Sequence, residues 1–215
     1  MFRGCLAVVA GALLGLAWVA SAQAHPHVLI DIKVEAVFNE SGEVVGLREL
    51  WIFDELYTAF AAGGLDADGD GEADEDKIAD LLNANMTSLK DYDYFTSVLL
   101  DEQPVTLATA GDASAWVENN RLRMRFFLPF AEPADITDKA FRYAVYDPTY
   151  YVELLHSGAA DAIVLSDAPA SCSYALEEPN PNPETISFAA SLDRTETAGD
   201  GLGILFAEWV SVACD

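Results

Sequence analysis

The sequence predicts a mainly β, α+β protein: a single β-sandwich-like domain with an inserted EF-hand-like helix–loop–helix. Residues 28–38 alternate between apolar and polar side chains, as a half-buried strand does. Many further short strand-like segments follow, with turn residues between them, which is typical of a sandwich. Residues 54–90 interrupt this pattern with two helical segments around an acidic loop, and we read them as an insertion.

The first 24 residues predict an export signal. Arg3 is their only charge, residues 5–19 form an apolar run, and small residues follow at 21–24. The run is shorter than the roughly 20 apolar residues that a membrane-spanning helix needs. We therefore expect cleavage after Ala24, a periplasmic protein of residues 25–215 that is not embedded in the membrane, and a chain that starts at His25. An uncleaved N-terminal anchor is the alternative.

The first strand, 28–38, should turn one face to the core and the other to solvent. Its core face carries apolar side chains at Ile30, Ile32, Val34, Ala36 and Phe38. Turn residues at 39–42 precede a second strand at 44–53, which should return antiparallel to the first.

Two helices are expected next, at 54–62 and at 75–90. Asp54 is a suitable N-cap for the first helix, and Gly63 and Gly64 would end it. Apolar residues recur at helical spacing in the second. Further strands are expected at 94–100, 115–118, 121–130, 139–146, 151–155, 162–165 and 207–213, and a short helix at 184–192.

Charge and cysteine content limit the partners and the chemistry. The full chain has a formal net charge of −25, which argues against binding to nucleic acid or to anionic membranes. Cys172 and Cys214 are the two cysteines after the predicted signal, and in an exported chain such a pair most often forms a disulfide. A two-thiolate metal site is the alternative.

His25 and His27 form the candidate transition-metal site. Strand periodicity would put both imidazoles on one face. The α-amine that signal cleavage would create on His25 could chelate an ion together with the imidazole of the same residue. Imidazole suits zinc, nickel and copper, and Pro26 lacks the amide N–H that a square-planar amide-bound site would use. A third ligand is needed, and Asp147 and His156 are the candidates by residue type. The alternative is a frayed, solvent-exposed terminus.

The loop that begins at Asp66 follows the calcium-binding pattern of EF-hand proteins for nine positions. Its predicted calcium ligands are Asp66, Asp68, Asp70, the Glu72 carbonyl and Asp74. The twelfth position, which should offer a bidentate carboxylate, is Lys77, and Asp76 or Asp80 could substitute for it. A solvated acidic turn is the alternative.

Other patterns favour binding over catalysis. Arg121, Arg123 and Arg125 alternate with apolar residues, so they would either pair with carboxylates on neighbouring strands or dock an acidic partner. The sequence has neither a Gly-x-Ser-x-Gly elbow nor a phosphate-binding loop, and we expect that the protein is not an enzyme.

Several segments together resemble a bacterial family of unknown function, described as the periplasmic component of an uncharacterised ABC-type transport system. The segments are residues 25–28, 51–54, 66–71, 91–95, 146–151, 192–195 and 199–203. Members of that family are often linked to nickel/cobalt or zinc transporters. The resemblance implies an exported accessory protein in transition-metal traffic and carries no established catalytic residues.

The leading hypothesis is a periplasmic metal-binding accessory, or solute-binding component, of an inner-membrane metal transporter. A calcium-stabilised interaction module without a transition metal is the second hypothesis. An oxidative copper enzyme that uses the N-terminal histidine is the third, and it would need an open coordination position.

Overall fold

The computed structural model describes residues 25–62, 64–66, 73–192 and 198–214, and these form two β-sheets with three helices. The predicted signal at 1–24 lies outside the described residues. The strands are β1 (Val28–Phe38), β2 (Val44–Phe53), β3 (Thr96–Leu100), β4 (Gln103–Pro104), β5 (Gly111–Glu118), β6 (Arg121–Ala134), β7 (Phe141–Val145), β8 (Val152–His156), β9 (Ile163–Ser166), β10 (Cys172–Glu177) and β11 (Trp209–Cys214). The prediction of a mainly β, α+β fold is confirmed.

The first sheet has the order β5-β6-β2-β1-β8, and β9 also pairs with β1. β1 is antiparallel to β2, as predicted, but parallel to both β8 and β9. The second sheet has the order β10-β11-β7-β3-β4. Side chains from the facing surfaces of both sheets form one apolar core.

The alternation predicted for β1 is present in the structure. Ile30, Ile32, Val34, Ala36 and Phe38 are all buried, and the residues between them are exposed or half-buried. The turn after β1 is held by the Asn39 side chain, whose Oδ1 accepts hydrogen bonds from the backbone N–H groups of Ser41 and Glu43.

Helix α1 (Glu55–Ala62) and helix α2 (Glu75–Lys90) confirm the predicted helix pair. Asp54 caps α1, since its Oδ1 accepts the Tyr57 N–H at 2.7 Å. Helix α3 (Pro183–Ser191) begins after Asn182, whose side chain accepts the Thr185 N–H. No helix in the described part of the chain is long and apolar enough to cross a bilayer.

Strand β10 was missed by the sequence analysis. It is exposed along most of its length. In the described part of the chain it is an edge strand of the second sheet and pairs with β11. Its sequence does alternate, with Cys172, Tyr174 and Leu176 on one face, but the run is short and the structure buries neither face. The Cys172–Cys214 disulfide links it to β11 at directly opposed positions, which confirms the predicted pairing of these cysteines.

The arginines of β6 lie on the outer face of the first sheet. Arg121 Nη1 is 2.6 Å from Asp31 Oδ2, and Arg123 Nε is 2.9 Å from Glu118 Oε2. Arg125 lies over the Trp116 ring, 6.0 Å from its centroid. The predicted pairing with a carboxylate on a neighbouring strand is therefore confirmed for Arg123, whereas Arg121 reaches across β2 to a carboxylate on β1.

Two polar contacts cross the apolar core and join the sheets. Glu49 on β2 is fully buried, and its two oxygens accept hydrogen bonds from Trp51 Nε1 at 2.8 Å and from Thr96 Oγ1 on β3 at 2.9 Å. Burial raises the pKa of Glu49 from 4.5 to about 7, although both hydrogen bonds lower it. The second contact joins His156 Nδ1 to Glu208 Oε2 at 2.8 Å.

Replacing Glu49 with Gln should remove a pH dependence of folding. The pKa of Glu49 is raised from 4.5, the value of an unperturbed Glu side chain, to about 7 in the folded chain. Between pH 4.5 and pH 7 the folded chain therefore holds a proton on Glu49 that the unfolded chain has lost. Its contribution to stability is therefore complete at low pH and falls by up to about 1.4 kcal/mol per pH unit as the pH rises through this window. We expect chemical denaturation at pH 5 to 8 to show this slope in the wild type and a smaller one in Glu49→Gln.

The amide of Glu49→Gln fits the same contacts. Its oxygen can accept from Trp51, and its NH₂ can donate to Thr96 Oγ1, which can donate onward to the Tyr94 carbonyl at 3.0 Å. Glu132→Gln, at an exposed position on β6, is the matched control and should keep the wild-type slope. Equal slopes in wild type and Glu49→Gln would contradict the prediction.

Candidate metal centre

His25 and His27 lie side by side at the start of β1. Their ring centroids are 4.6 Å apart, with an angle of 66° between the ring planes. The Tyr151 ring packs beside both histidines. Its centroid lies 5.8 Å from that of the His25 ring and 4.6 Å from that of the His27 ring. The His25–Pro26 peptide bond is cis. The two imidazoles that the sequence analysis placed together are therefore neighbours in the structure.

His25 is buried rather than frayed. The residue is 5% exposed, and neither Nδ1 nor Nε2 has a hydrogen-bond partner among the residues that the structure describes. A buried polar atom without a partner is uncommon and costs about 1–3 kcal/mol. In a neutral imidazole one of the two nitrogens has no proton and can give its lone pair to a metal ion. On the His25 ring no described group occupies that lone pair.

The turn before β8 positions Tyr151. Asp147 is 5% exposed, and its Oδ1 accepts hydrogen bonds from both the N–H and the hydroxyl of Thr149, each at 2.9 Å. Its Oδ2 accepts the Val152 N–H at 3.0 Å. The Tyr151 carbonyl then accepts the His27 N–H at 2.8 Å. Asp147 thus fixes the turn before Tyr151, and the Tyr151 backbone in turn binds the backbone of His27.

A glycine-rich segment packs closely against the same turn. The Pro148 carbonyl accepts the N–H groups of Gly201 at 3.1 Å and Gly203 at 3.0 Å. Gly203 approaches so closely that a Cβ there would overlap the Asp147 carbonyl oxygen. The Tyr150 ring stacks on Phe206 at 3.9 Å. Segments 146–151 and 199–203, far apart in sequence, therefore form one unit.

Residues Asp93–Phe95 support the turn from the other side. The Phe95 carbonyl accepts the Tyr146 N–H at 2.7 Å. Asp93, Tyr94 and Phe95 have φ values of +50°, +55° and +57°, a left-handed backbone that non-glycine residues seldom adopt. Tyr94 is buried, and its hydroxyl accepts the Ala110 N–H at 3.2 Å, while Phe95 stacks on Trp51. These contacts offset the backbone cost.

The structure does not group the two other candidate transition-metal ligands with the histidine pair. Among the described residues, no group of three or more His, Cys, Asp or Glu side chains is arranged to hold a metal ion. His156 pairs with Ile32 on β1 and lies five residues along the chain from Tyr151, which is about 16 Å at strand spacing. Its Nδ1 contacts Glu208 inside the sandwich.

The acidic loop is described only at its ends. Asp68, Asp70 and Glu72 lie outside the described residues, whereas Asp66 and Asp74 are half-buried. The Asp74 N–H donates to the carbonyl of the buried Leu65 at 2.7 Å, so the two ends of the loop meet. Lys77 Nζ lies 3.7 Å from Asp76 Oδ2 at the start of α2. Calcium binding at this loop stays a prediction.

Sequence reasoning missed Tyr151, Gly203 and the structural role of Asp147. Tyr151 was not placed beside the histidines, because its position next to His27 depends on a parallel pairing between distant segments. The Asp147-Pro148-Thr149 run is a turn signal in its own right, since an Asp side chain readily hydrogen-bonds the backbone two residues later. That signal could have identified Asp147 as a turn residue.

Replacing Gly203 with Ala should destabilise the turn and disturb the histidine pair. The new Cβ would meet backbone, which cannot move away as a flexible side chain can, so we expect a loss of about 1–3 kcal/mol in the free energy of unfolding. Gly158→Ala, where a Cβ would meet nothing within 4 Å, is the matched control. Denaturant titration measures both, and equal stability of the two variants would contradict the packing described here.

Comparison with known proteins places the chain among uncharacterised relatives. An uncharacterized protein of Haemophilus influenzae is 27% identical over 207 residues, which cover 94% of this chain and 97% of that protein. An uncharacterized 15.5 kDa protein in the trpE 3′ region of Spirochaeta aurantia is 26% identical over 90 residues, 42% of this chain and 64% of that protein. No solved structure matches the chain. A family model described as "Protein of unknown function (DUF1007)" matches residues 10–214, and the chain belongs to this family.

Proposed function

We propose that the protein is an exported, periplasmic binding protein for a transition-metal ion, and that it serves an inner-membrane metal transporter as an accessory or solute-binding component. His25 and His27 would hold the ion, which is zinc, nickel or copper. The observation that carries the proposal is the His25 ring, which is buried beside a second imidazole with both nitrogens free of described hydrogen-bond partners. Neutral imidazole is the commonest protein ligand for these metals.

The chain start would supply a further donor. Cleavage after Ala24 would leave the α-amine on the residue that carries the first imidazole, so amine and ring could chelate one ion together. With His27, this makes three nitrogen donors without any contribution from Asp147 or His156. Ligands for zinc are typically three or four in number, and a cargo site that must release its ion can use fewer than a structural one.

The surroundings of the pair suit a preorganised site. The His27 backbone is tied to Tyr151, and Tyr151 follows a turn that the Asp147 carboxylate fixes with three hydrogen bonds. Ligands held by such a frame lose less conformational freedom on binding an ion than ligands on a free terminus do. The net charge of −25 also raises the local concentration of cations around the protein.

Titration calorimetry on the exported chain that starts at His25 tests the proposal. We expect one zinc, nickel or copper ion per chain, and at least a tenfold loss of affinity in His25→Ala and in His27→Ala, which corresponds to about 1.4 kcal/mol. A chain that retains Ala24 before His25 should also bind more weakly, because its amine is displaced by one residue.

His156→Asn is the matched control, because the Asn amide can replace the hydrogen bond from Nδ1 to Glu208 without supplying an imidazole. This variant should keep the wild-type affinity. Binding no tighter than millimolar in the wild type would sink the proposal. A loss in His156→Asn as large as in His25→Ala would move the ligand assignment to β8.

Calcium binding by the acidic loop is a second, separate proposal. It is supported by the loop ends, which the hydrogen bond between Asp74 N–H and the Leu65 carbonyl brings together at 2.7 Å. Alternating carboxylates around a glycine turn can wrap one calcium ion, and the ion would relieve their mutual repulsion. The loop would act as a structural staple between α1 and α2.

Thermal unfolding with and without calcium tests this second proposal. Calcium at one hundred times its Kd should stabilise the folded chain by about 2.7 kcal/mol, and EGTA should remove the effect. Asp66→Asn should abolish the calcium-dependent rise in Tm, whereas Glu40→Gln, in an exposed turn, should leave it intact. An identical Tm in millimolar calcium and in EGTA would exclude a calcium staple.

A further inference from the structure

Helix α1 packs Tyr57 against the protein core but turns Leu56 and Phe60 outward. Leu56, Ala59 and Phe60 are exposed on one face of the helix. The opposite face carries Thr58, which is 3% exposed and whose Oγ1 accepts the Leu122 N–H at 2.9 Å. An amphipathic helix on a globular protein normally buries its apolar stripe. Here Thr58 and the Tyr57 ring, which stacks on Phe53 at 4.9 Å, hold the helix to the sheet, while Leu56 and Phe60 remain exposed on its outer side.

The exposure of this stripe is unusually high. Leu56 is 80% exposed and Phe60 is 85% exposed, whereas the next most exposed large apolar residue in the described part of the chain, Tyr92, is 58% exposed. Leu56 and Phe60 are four residues apart, so they lie one above the other on the helix. Adjacent exposed apolar side chains of this size mark interaction sites more often than isolated ones do.

We propose that the outer face of α1 is a docking element, in which Leu56 and Phe60 insert into an apolar groove with a cationic rim on a partner protein. Recognition of this kind reads side chains at positions i and i+4 of a helix. The proposal concerns an interaction surface and does not rest on metal binding by His25 and His27.

The charges near α1 indicate which residues should border the partner's groove. Asp54 and Glu55 lie at the start of α1 and give this end of the helix a negative charge. A groove bordered by Lys or Arg would complement that charge. The same charges disfavour an anionic lipid surface, which a chain of net charge −25 would approach against repulsion.

The small size of the stripe argues against a second copy of this chain as the occupant. Covering Leu56 and Phe60 completely would bury on the order of 300 Å² per copy, against about 800 Å² per partner in a stable interface. Two copies that met through α1 would also bring two acidic surfaces together. A concave groove removes more of the helix from water than a second convex helix can, and it suits a reversible contact.

Docking at α1 would bring the partner next to the start of β1. The Leu29 N–H donates to Asp54 Oδ2 at 2.9 Å, and the Asp54 N–H donates to the Leu29 carbonyl at 2.9 Å. These two bonds join the N-terminus of α1 to β1 two residues after His27. A partner seated on α1 would therefore contact the same end of the molecule as the histidine pair.

Photo-crosslinking in the producing cell tests the proposal with a defined probe. Phe60 is replaced by benzoylphenylalanine in the full chain, and Phe188, an exposed residue on α3, is replaced in the matched control. We expect one crosslinked product between this chain and one other protein at position 60. The product should be absent at position 188 and lost when Leu56→Asp is added.

The crosslinked protein, identified by mass spectrometry and purified, should bind the wild-type chain. Binding should be at least tenfold weaker for Leu56→Asp/Phe60→Asp and should weaken as salt increases. Leu56→Ala/Phe60→Ala should also weaken binding, and its Tm should match that of the wild type, because Ala is a good helix former and both replaced side chains are largely exposed. A lower Tm, a crosslink to a second copy or to phospholipid, or equal labelling at positions 60 and 188 would each overturn the proposal.

Discussion

The pairing of β1 with neighbours on both sides is the constraint on which the rest of the structure depends. β2 follows β1 through a short turn, so its antiparallel pairing is local. The other side of β1 is taken by β8 and β9, which come from more than a hundred residues later and run parallel to it. A parallel neighbour must enter the sheet at the same end as β1 does. This requirement brings Tyr151 and the preceding turn against His25 and His27, just before β1.

The elements that could be predicted from the sequence are those with a strong local pattern. β1 shows strict alternation, α2 shows helical spacing of apolar residues, and Asp54 is a cap residue next to a helical segment. The elements that were missed have a short pattern or none. β10 alternates over only six residues and buries neither face, β4 has two residues, and the left-handed segment Asp93–Phe95 contains no glycine. Their conformations are imposed by contacts with distant residues, which a local reading does not contain.

In the candidate site, too, some features could be predicted from local sequence and others depend on distant strand pairing. The proximity of His25 and His27 follows from their spacing, and it could be anticipated. The burial of His25 and its contact with Tyr151 depend on the parallel pairing of β1 with β8, which spacing does not encode. His156 illustrates the opposite error. It is the right residue type for a ligand, but strand register puts it inside the sandwich, where Glu208 contacts it. Residue type limits the set of candidate metal ligands, and strand register determines which of these side chains lie close enough to bind one ion.

The disulfide has a consequence for aggregation. β10 closes one border of the second sheet, and β11 behind it carries the apolar residues Val210 and Val212. In a reducing compartment β10 would lose its covalent link to β11 and would be held by non-covalent contacts. Its detachment would turn β11 into an open template for strands of other chains, a recognised route to insoluble assemblies. The covalent link between Cys172 and Cys214 keeps this border closed, so oxidation of the two thiols protects the folded protein from association as well as stabilising it.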